Sequence, residues 1–241
     1  MLILRNILFN FLFFTLSFFL SLILIWSILL PQKWTIKIIR NFYFGVILLL
    51  ERHILGLDYR IEGWENIPKS GSFILAAKHQ SAYETLKLPY IFEDVAIILK
   101  RELTWIPLWG WYPRAMGMIP IDRGSAKEAL GSIIKGSKRI LNDEQRPLLI
   151  FPQGTRTAIG EKRKYKIGIG RVYESTDTPV IPVALNSGVY WGKNKFWKRS
   201  GCVTIKFLPP IPPGLPVSEF MQRLESDIES ESDKLLPPPI S

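Results

Sequence analysis

From Ile7 to Leu30 the chain runs for 24 residues without a charged side chain. As a helix that run reaches about 36 Å, against about 30 Å for a bilayer's hydrocarbon core. It is long enough to cross. The run leads into Trp26-Ser27-Ile28-Leu29-Leu30-Pro31, which offers no small-residue cleavage site, so it reads as a retained membrane segment rather than a removed signal peptide. A second apolar stretch, Asn41 to Leu50, is too short to cross and is flanked by Arg40 and by Glu51-Arg52. With Pro31 as the bend, residues 1–56 read as a membrane anchor. Two arrangements stay open, a spanning helix followed by an interfacial one, or a helix pair sunk into one leaflet. For the second stretch, an ordinary core helix is the plain alternative.

Beyond Leu57 the pattern changes to short apolar or β-branched runs alternating with longer amphipathic ones. Strands are predicted at 72–77, 95–99, 148–151, 180–185 and 203–208. Ser125-Ala126-Lys127-Glu128 is a capping box, and Ala126, Ala129, Leu130, Ile133, Ile134, Ile140 and Leu141 behind it recur at helical spacings. Phe220, Leu224 and Ile228 predict a closing helix, stopped by Pro237 to Pro239. Pro209 to Pro216 reads as a rigid surface crossover. Strand, helix, strand is an α/β signal, so residues 57–241 are expected to form one α/β domain with a mostly parallel mixed sheet flanked by helices.

Charge sharpens this picture. Lys and Arg number 31 against 21 Asp and Glu, a net charge of +10. Arg5 precedes the apolar run whereas Lys33, Lys37 and Arg40 follow it, a bias that keeps the following domain on the cytoplasmic side. Two basic clusters, Lys162-Arg163-Lys164 with Lys166 and Arg171, and Lys193, Lys195, Lys198 and Arg199 among Trp191, Phe196 and Trp197, suit anionic lipid headgroups better than nucleic acid beside such a leader. One cysteine, Cys202, excludes an intramolecular disulfide, and two histidines, His53 and His79, leave no Cys/His zinc cluster.

Candidate chemistry follows the predicted strands, whose carboxyl ends share one edge in a parallel sheet. His79 suits a general base, and Glu84 reaches it only if His79 sits in the turn before a helix that Ser81 starts. Ser81-x-x-Glu84 is itself a capping box, so Glu84 is either the partner of His79 or merely a cap. Gly154-Thr155-Arg156 combines a flexible backbone, a hydroxyl and a guanidinium fork that suit a phosphate, with Lys100 and Arg123 as further cations. There is no Ser-His-Asp or Cys-His arrangement, which favours direct attack by a substrate hydroxyl over a covalent enzyme intermediate.

Four segments in this order resemble the motifs of the bacterial lysophosphatidic acid (1-acyl-glycerol-3-phosphate) acyltransferases. They are His79 with Glu84; Lys100, Glu102 and Leu103 with Pro107, Gly110, Gly117 and Arg123; Phe151-Pro152-Gln153-Gly154-Thr155-Arg156; and Ile181-Pro182-Val183-Ala184-Leu185. The chain departs from that pattern at Glu84, where Asp is usual, at Gln153, where Glu is usual, and at Lys78, where Asn is frequent. The resemblance implies transfer of an acyl group from acyl carrier protein (acyl-ACP) or coenzyme A (acyl-CoA) to the sn-2 hydroxyl of lysophosphatidic acid, with no cofactor and no metal. It implies His79 and Glu84 as the catalytic pair, Lys100, Arg123, Gly154, Thr155 and Arg156 as phosphate contacts, and Glu102, Pro152, Gln153 and Pro182 as further motif positions. The implied location is the bacterial inner membrane, with the domain facing the cytoplasm. Acylation of another lyso-lipid or of glycerol 3-phosphate, and an idle lipid-binding protein of the same fold, are the alternatives.

Overall fold

The computed structural model describes residues 2–122 and 124–237. Seven strands form one mixed sheet: β1 (Leu57–Glu62), β2 (Ile74–Ala77), β3 (Ala96–Lys100), β4 (Ile119–Ile121), β5 (Leu148–Ile150), β6 (Val180–Leu185) and β7 (Gly201–Phe207). Their order is β1-β7-β6-β2-β5-β3-β4, and every pair is parallel except β6 with β7. This is the mostly parallel mixed sheet expected. The central strands are apolar on both faces, as two-sided burial requires. Ile74 and Ala76 of β2 join a core with α6 (Ala126–Lys138), α7 (Ile167–Thr176) and α9 (Val217–Lys234), while Leu75 and Ala77 join a second core with α4 (Tyr83–Ile91).

Two strands were not predicted. β1 alternates Leu57, Tyr59 and Ile61 with polar residues, a legible period of two that follows directly on the anchor pattern. β4 is three residues with Pro120 at its centre, and it is the edge strand, where a missing N–H is most readily tolerated.

The leader is packed onto the domain. Helix α1 (Leu2–Ile23) is followed by a helical run through α2 (Gln32–Ile38) and α3 (Gly45–Leu50) to Leu55, where Gly56 at φ +65° ends it in the left-handed region. The second apolar stretch is two-faced: Tyr43 and Ile47 are buried while Phe42 and Leu49 are exposed. A buried ion pair, Lys87 Nζ to Glu51 Oε2 at 2.6 Å, ties this helical run to α4. On α1, the polar residues face inward. Asn6 Nδ2 donates to the Lys198 carbonyl at 3.0 Å and Asn6 Oδ1 accepts the Lys198 N–H at 2.7 Å. At the other end, Tyr112 OH donates to the Ser21 carbonyl at 2.6 Å. The opposite face exposes Leu4, Phe11, Phe14, Phe18 and Ile23.

Lys198 departs from expectation. It is 3% exposed rather than free for headgroups, because its ammonium lies over the rings of Trp191, Phe9 and Phe196 and donates to Asn10 Oδ1 at 2.8 Å. Burial brings this ammonium down from 10.5 to about 8. Between those values the unfolded chain holds a proton that the folded protein has released, so this group adds stability as pH rises from 8 to 10.5. Lys198→Met is expected to abolish that rise. Melting temperatures of both proteins in detergent micelles, followed across that pH window, check it; parallel curves would contradict it.

Candidate active site

His79 sits two residues beyond β2, in the turn before α4, as the His–Glu spacing demands. Its Nδ1 is 3.0 Å from Glu84 Oε1, and its ring stacks on Phe151 with centroids 4.0 Å apart. Glu84 is fully buried. The same Oε1 accepts the main-chain N–H groups of Gln80 and Ser81, both at 2.6 Å, and Oε2 accepts the Ser187 hydroxyl at 2.7 Å. Partner and cap are therefore one carboxylate oxygen, not alternatives. With two main-chain N–H groups and the Ser187 hydroxyl donating to it, Glu84 presents an acceptor to the His79 ring, an arrangement that favours the tautomer with its proton on Nδ1. Ser187 follows β6 directly, and nothing local in the sequence marks its bond to Glu84.

The Phe151–Arg156 segment reaches the same edge from β5. Gly154 takes φ +70°, and its N–H closes a turn on the Phe151 carbonyl at 2.9 Å. Gln153 is buried and accepts the His79 N–H on Oε1 at 2.8 Å, while Thr157 donates its N–H and hydroxyl to the His79 carbonyl at 2.7 and 3.1 Å. Both main-chain polar groups of His79 are thereby fixed.

His79, Lys100 and the Pro152–Arg156 stretch line one cavity of about 1150 Å³. It follows β3 from Lys100 to Ile97 and continues to Met118, Tyr112, Tyr43, Leu20 of α1 and Leu24 just past its end. That exceeds the roughly 300–1,000 Å³ of a pocket for a compact ligand and has room for a long chain. Lys127, Arg163 and Lys166 also line it. Among the described residues, no carboxylate lies within ion-pair distance of Lys127, Arg156 or Lys166. Lys100 is paired with Glu102 at 2.9 Å, and that bond holds the Glu102 carboxyl below the usual range, so Lys100 is less available than expected. Sequence reasoning placed Arg163 and Lys166 on a headgroup-facing surface and passed over Lys127; their positions opposite β3 depend on α6 and α7 packing. Glu102 bonds Lys100 but does not itself line the cavity, and Pro182, buried within β6 opposite Ala76, holds no place on its wall either. Arg123 lies outside the described residues. Among the described residues, no three His, Cys, Asp or Glu side chains gather as a metal site.

The Acyltransferase family model matches residues 58–186. The 1-acyl-sn-glycerol-3-phosphate acyltransferase of Pseudomonas aeruginosa is 34% identical over 197 residues, covering 82% of this chain and 74% of that protein. The yeast (Saccharomyces cerevisiae) protein of the same name is 29% identical over 162 residues, 66% of this chain and 53% of its own. The crystal structure of the 1-acyl-sn-glycerophosphate (LPA) acyltransferase from Thermotoga maritima superposes with a TM-score of 0.79 at 26% identity over 98% of each chain. The chain belongs to the Acyltransferase family, and within it to the 1-acyl-sn-glycerol-3-phosphate acyltransferases.

The Glu84 geometry separates two substitutions. Glu84→Gln puts an amide N–H₂ against donors, leaving a buried donor unsatisfied at about 1–3 kcal/mol and removing the charge that supports an imidazolium. Glu84→Asp keeps the charge at shorter reach. Both are expected to lower the melting temperature, and Gln to lower kcat more than Asp, by about 10²-fold or beyond. Single-turnover rates on the folded fraction check this; equal rates for wild type and Glu84→Gln would reduce Glu84 to a cap.

Proposed function

We propose that this enzyme transfers a fatty acyl group from acyl carrier protein or coenzyme A to the sn-2 hydroxyl of lysophosphatidic acid, giving phosphatidic acid, with His79 as general base. The observation that carries the reading is the His79–Glu84 pair on the wall of an apolar cavity whose rim holds the unpaired cations Arg156, Lys127 and Lys166. A lyso-phospholipid needs these three features together: a base for its hydroxyl, positive charge for its phosphate and an apolar space beside them.

In this mechanism His79 Nε2 takes the hydroxyl proton as the substrate oxygen attacks the thioester carbonyl. Glu84 keeps the imidazole in the required tautomer and stabilises the imidazolium. Collapse of the tetrahedral intermediate breaks the carbon–sulfur bond, and the departing thiolate receives the proton from His79. No bond to the enzyme forms. His79→Ala is expected to leave a folded protein with activity lowered by about 10²–10⁴-fold. Arg156→Ala is expected to raise KM for the lyso-lipid and lower kcat, and Arg156→Lys to recover only part, because a point charge does not reproduce a two-pronged fork. Steady-state kinetics with mixed micelles check both; normal turnover by His79→Ala would overturn the mechanism.

The reading places the enzyme on the cytoplasmic face of a bacterial inner membrane, held by its apolar leader and by anionic lipids. The bonds from both ends of α1 to the domain, at Lys198 and Tyr112, support a helix lying in one leaflet over one that leaves the domain to cross. The bias from Arg5 to Lys33, Lys37 and Arg40 supports the cytoplasmic side. In a Cys202→Ser background, Ile3→Cys and Leu29→Cys are both expected to resist an impermeant maleimide added outside spheroplasts. Labelling of one end from outside would mean that α1 spans.

A further inference from the structure

Directly behind the cavity wall, one carboxylate bonds the residue before His79 and the segment that carries Arg156. We propose that Glu229, on α9, is a positioning residue for acyl transfer, acting through Gln153 on the main chain of His79 and through Lys78 and Tyr165 on the segments that present the base and Arg156. The proposal rests on the His79 mechanism above.

Glu229 Oε2 accepts from Lys78 Nζ at 2.7 Å. Its Oε1 accepts from Tyr165 OH at 2.9 Å and from Gln153 Nε2 at 3.4 Å. Lys78 immediately precedes His79, while Gln153 and Tyr165 bracket Arg156 in the chain. One carboxylate thus bonds both segments that carry the proposed chemistry, although it does not itself line the cavity. Its support is firm, since Phe220, Leu224 and Ile228 seat α9 in the core and Phe220 stacks on Tyr173 at 3.9 Å.

The surroundings make the arrangement selective. Lys78, Gln153 and Tyr165 are all buried, so charges there are poorly screened and a lost partner leaves an ammonium stranded. Gln153 must accept from the His79 N–H on one side and face an acceptor carboxylate on the other. An amide does both. A carboxylate at 153 would set two negative groups within hydrogen-bond distance of each other. This accounts for two departures from the acyltransferase pattern together: the negative charge stands on Glu229, Lys78 neutralises it, and position 153 carries an amide. Carboxylate and amide form an exchangeable pair. With Glu at 153 and Gln at 229, the His79 N–H still meets an oxygen, the 229 amide offers one N–H to position 153 and its oxygen to Lys78, and the Tyr165 hydroxyl, which donated to the replaced oxygen, turns to accept the second amide N–H.

The test uses the full-length enzyme in detergent micelles, measuring kcat, KM for lysophosphatidic acid and melting temperature for Gln153→Glu, Glu229→Gln and the double exchange, with His79→Ala alongside. Each single variant is expected to lower kcat about 10- to 100-fold with a much smaller change in KM, the signature of a misplaced reacting group rather than lost binding. The double variant is expected to regain most of that loss, a compensation that general loss of stability would not produce. A folded single variant with wild-type kcat, or a double variant that is no faster than the slower single or does not fold, would overturn the proposal. Should a single variant not fold, the double decides by the same criteria. Loss of activity in His79→Ala with none in the Glu229 and Gln153 variants rejects Glu229 alone, whereas normal His79→Ala turnover rejects the mechanism on which it rests.

Discussion

The site depends on the satisfaction of one buried carboxylate. Glu84 is fully buried, and a carboxylate in that position is tolerable only if donors surround it. They come from three directions: the ring of His79, the main chain of the turn that begins α4, and the hydroxyl of Ser187 after β6. Meeting this requirement fixes the turn, the imidazole tautomer and the approach of β6 to β2 at once. Local folding and the geometry of the His79–Glu84 pair therefore share one set of bonds, and a change that spoils one spoils the other.

The sheet supplies the rest. Because β2, β5 and β3 are parallel neighbours, their carboxyl ends deliver His79, the Gly154 turn and Lys100 to one edge. Two-sided burial leaves that edge as the place where loops can diverge from the core. The cavity then follows the face of β3 away from the edge, so polar chemistry and apolar accommodation meet at His79 without either intruding on the other.

Much of this was readable in the chain. Strand β6 is legible to the residue, because it is a six-residue apolar run with three β-branched positions between turn signals. The His79–Glu84 spacing named its own geometry. Other features had no local signature. β4 is three residues around a proline, and the position of Lys127 or Lys166 on the cavity wall is set by how α6 and α7 pack, which periodicity does not encode. Lys198 misled for a related reason. A lysine among aromatic residues reads as a surface contact, and only the docking of α1 turns the same composition into an enclosed cage.

That docking bears on what the leader is. A segment whose sole task is to hold a protein at a bilayer needs length and apolarity, and nearly any such sequence serves. Here Asn6, Asn10 and Ser17 are committed to partners elsewhere in the chain, and Leu20 and Leu24 finish the wall of the cavity. The leader is consequently not a modular part. Its inward face is under the same constraints as a core helix and its outward face alone is free to drift, so exchange for a generic apolar helix would leave the cavity without one of its sides.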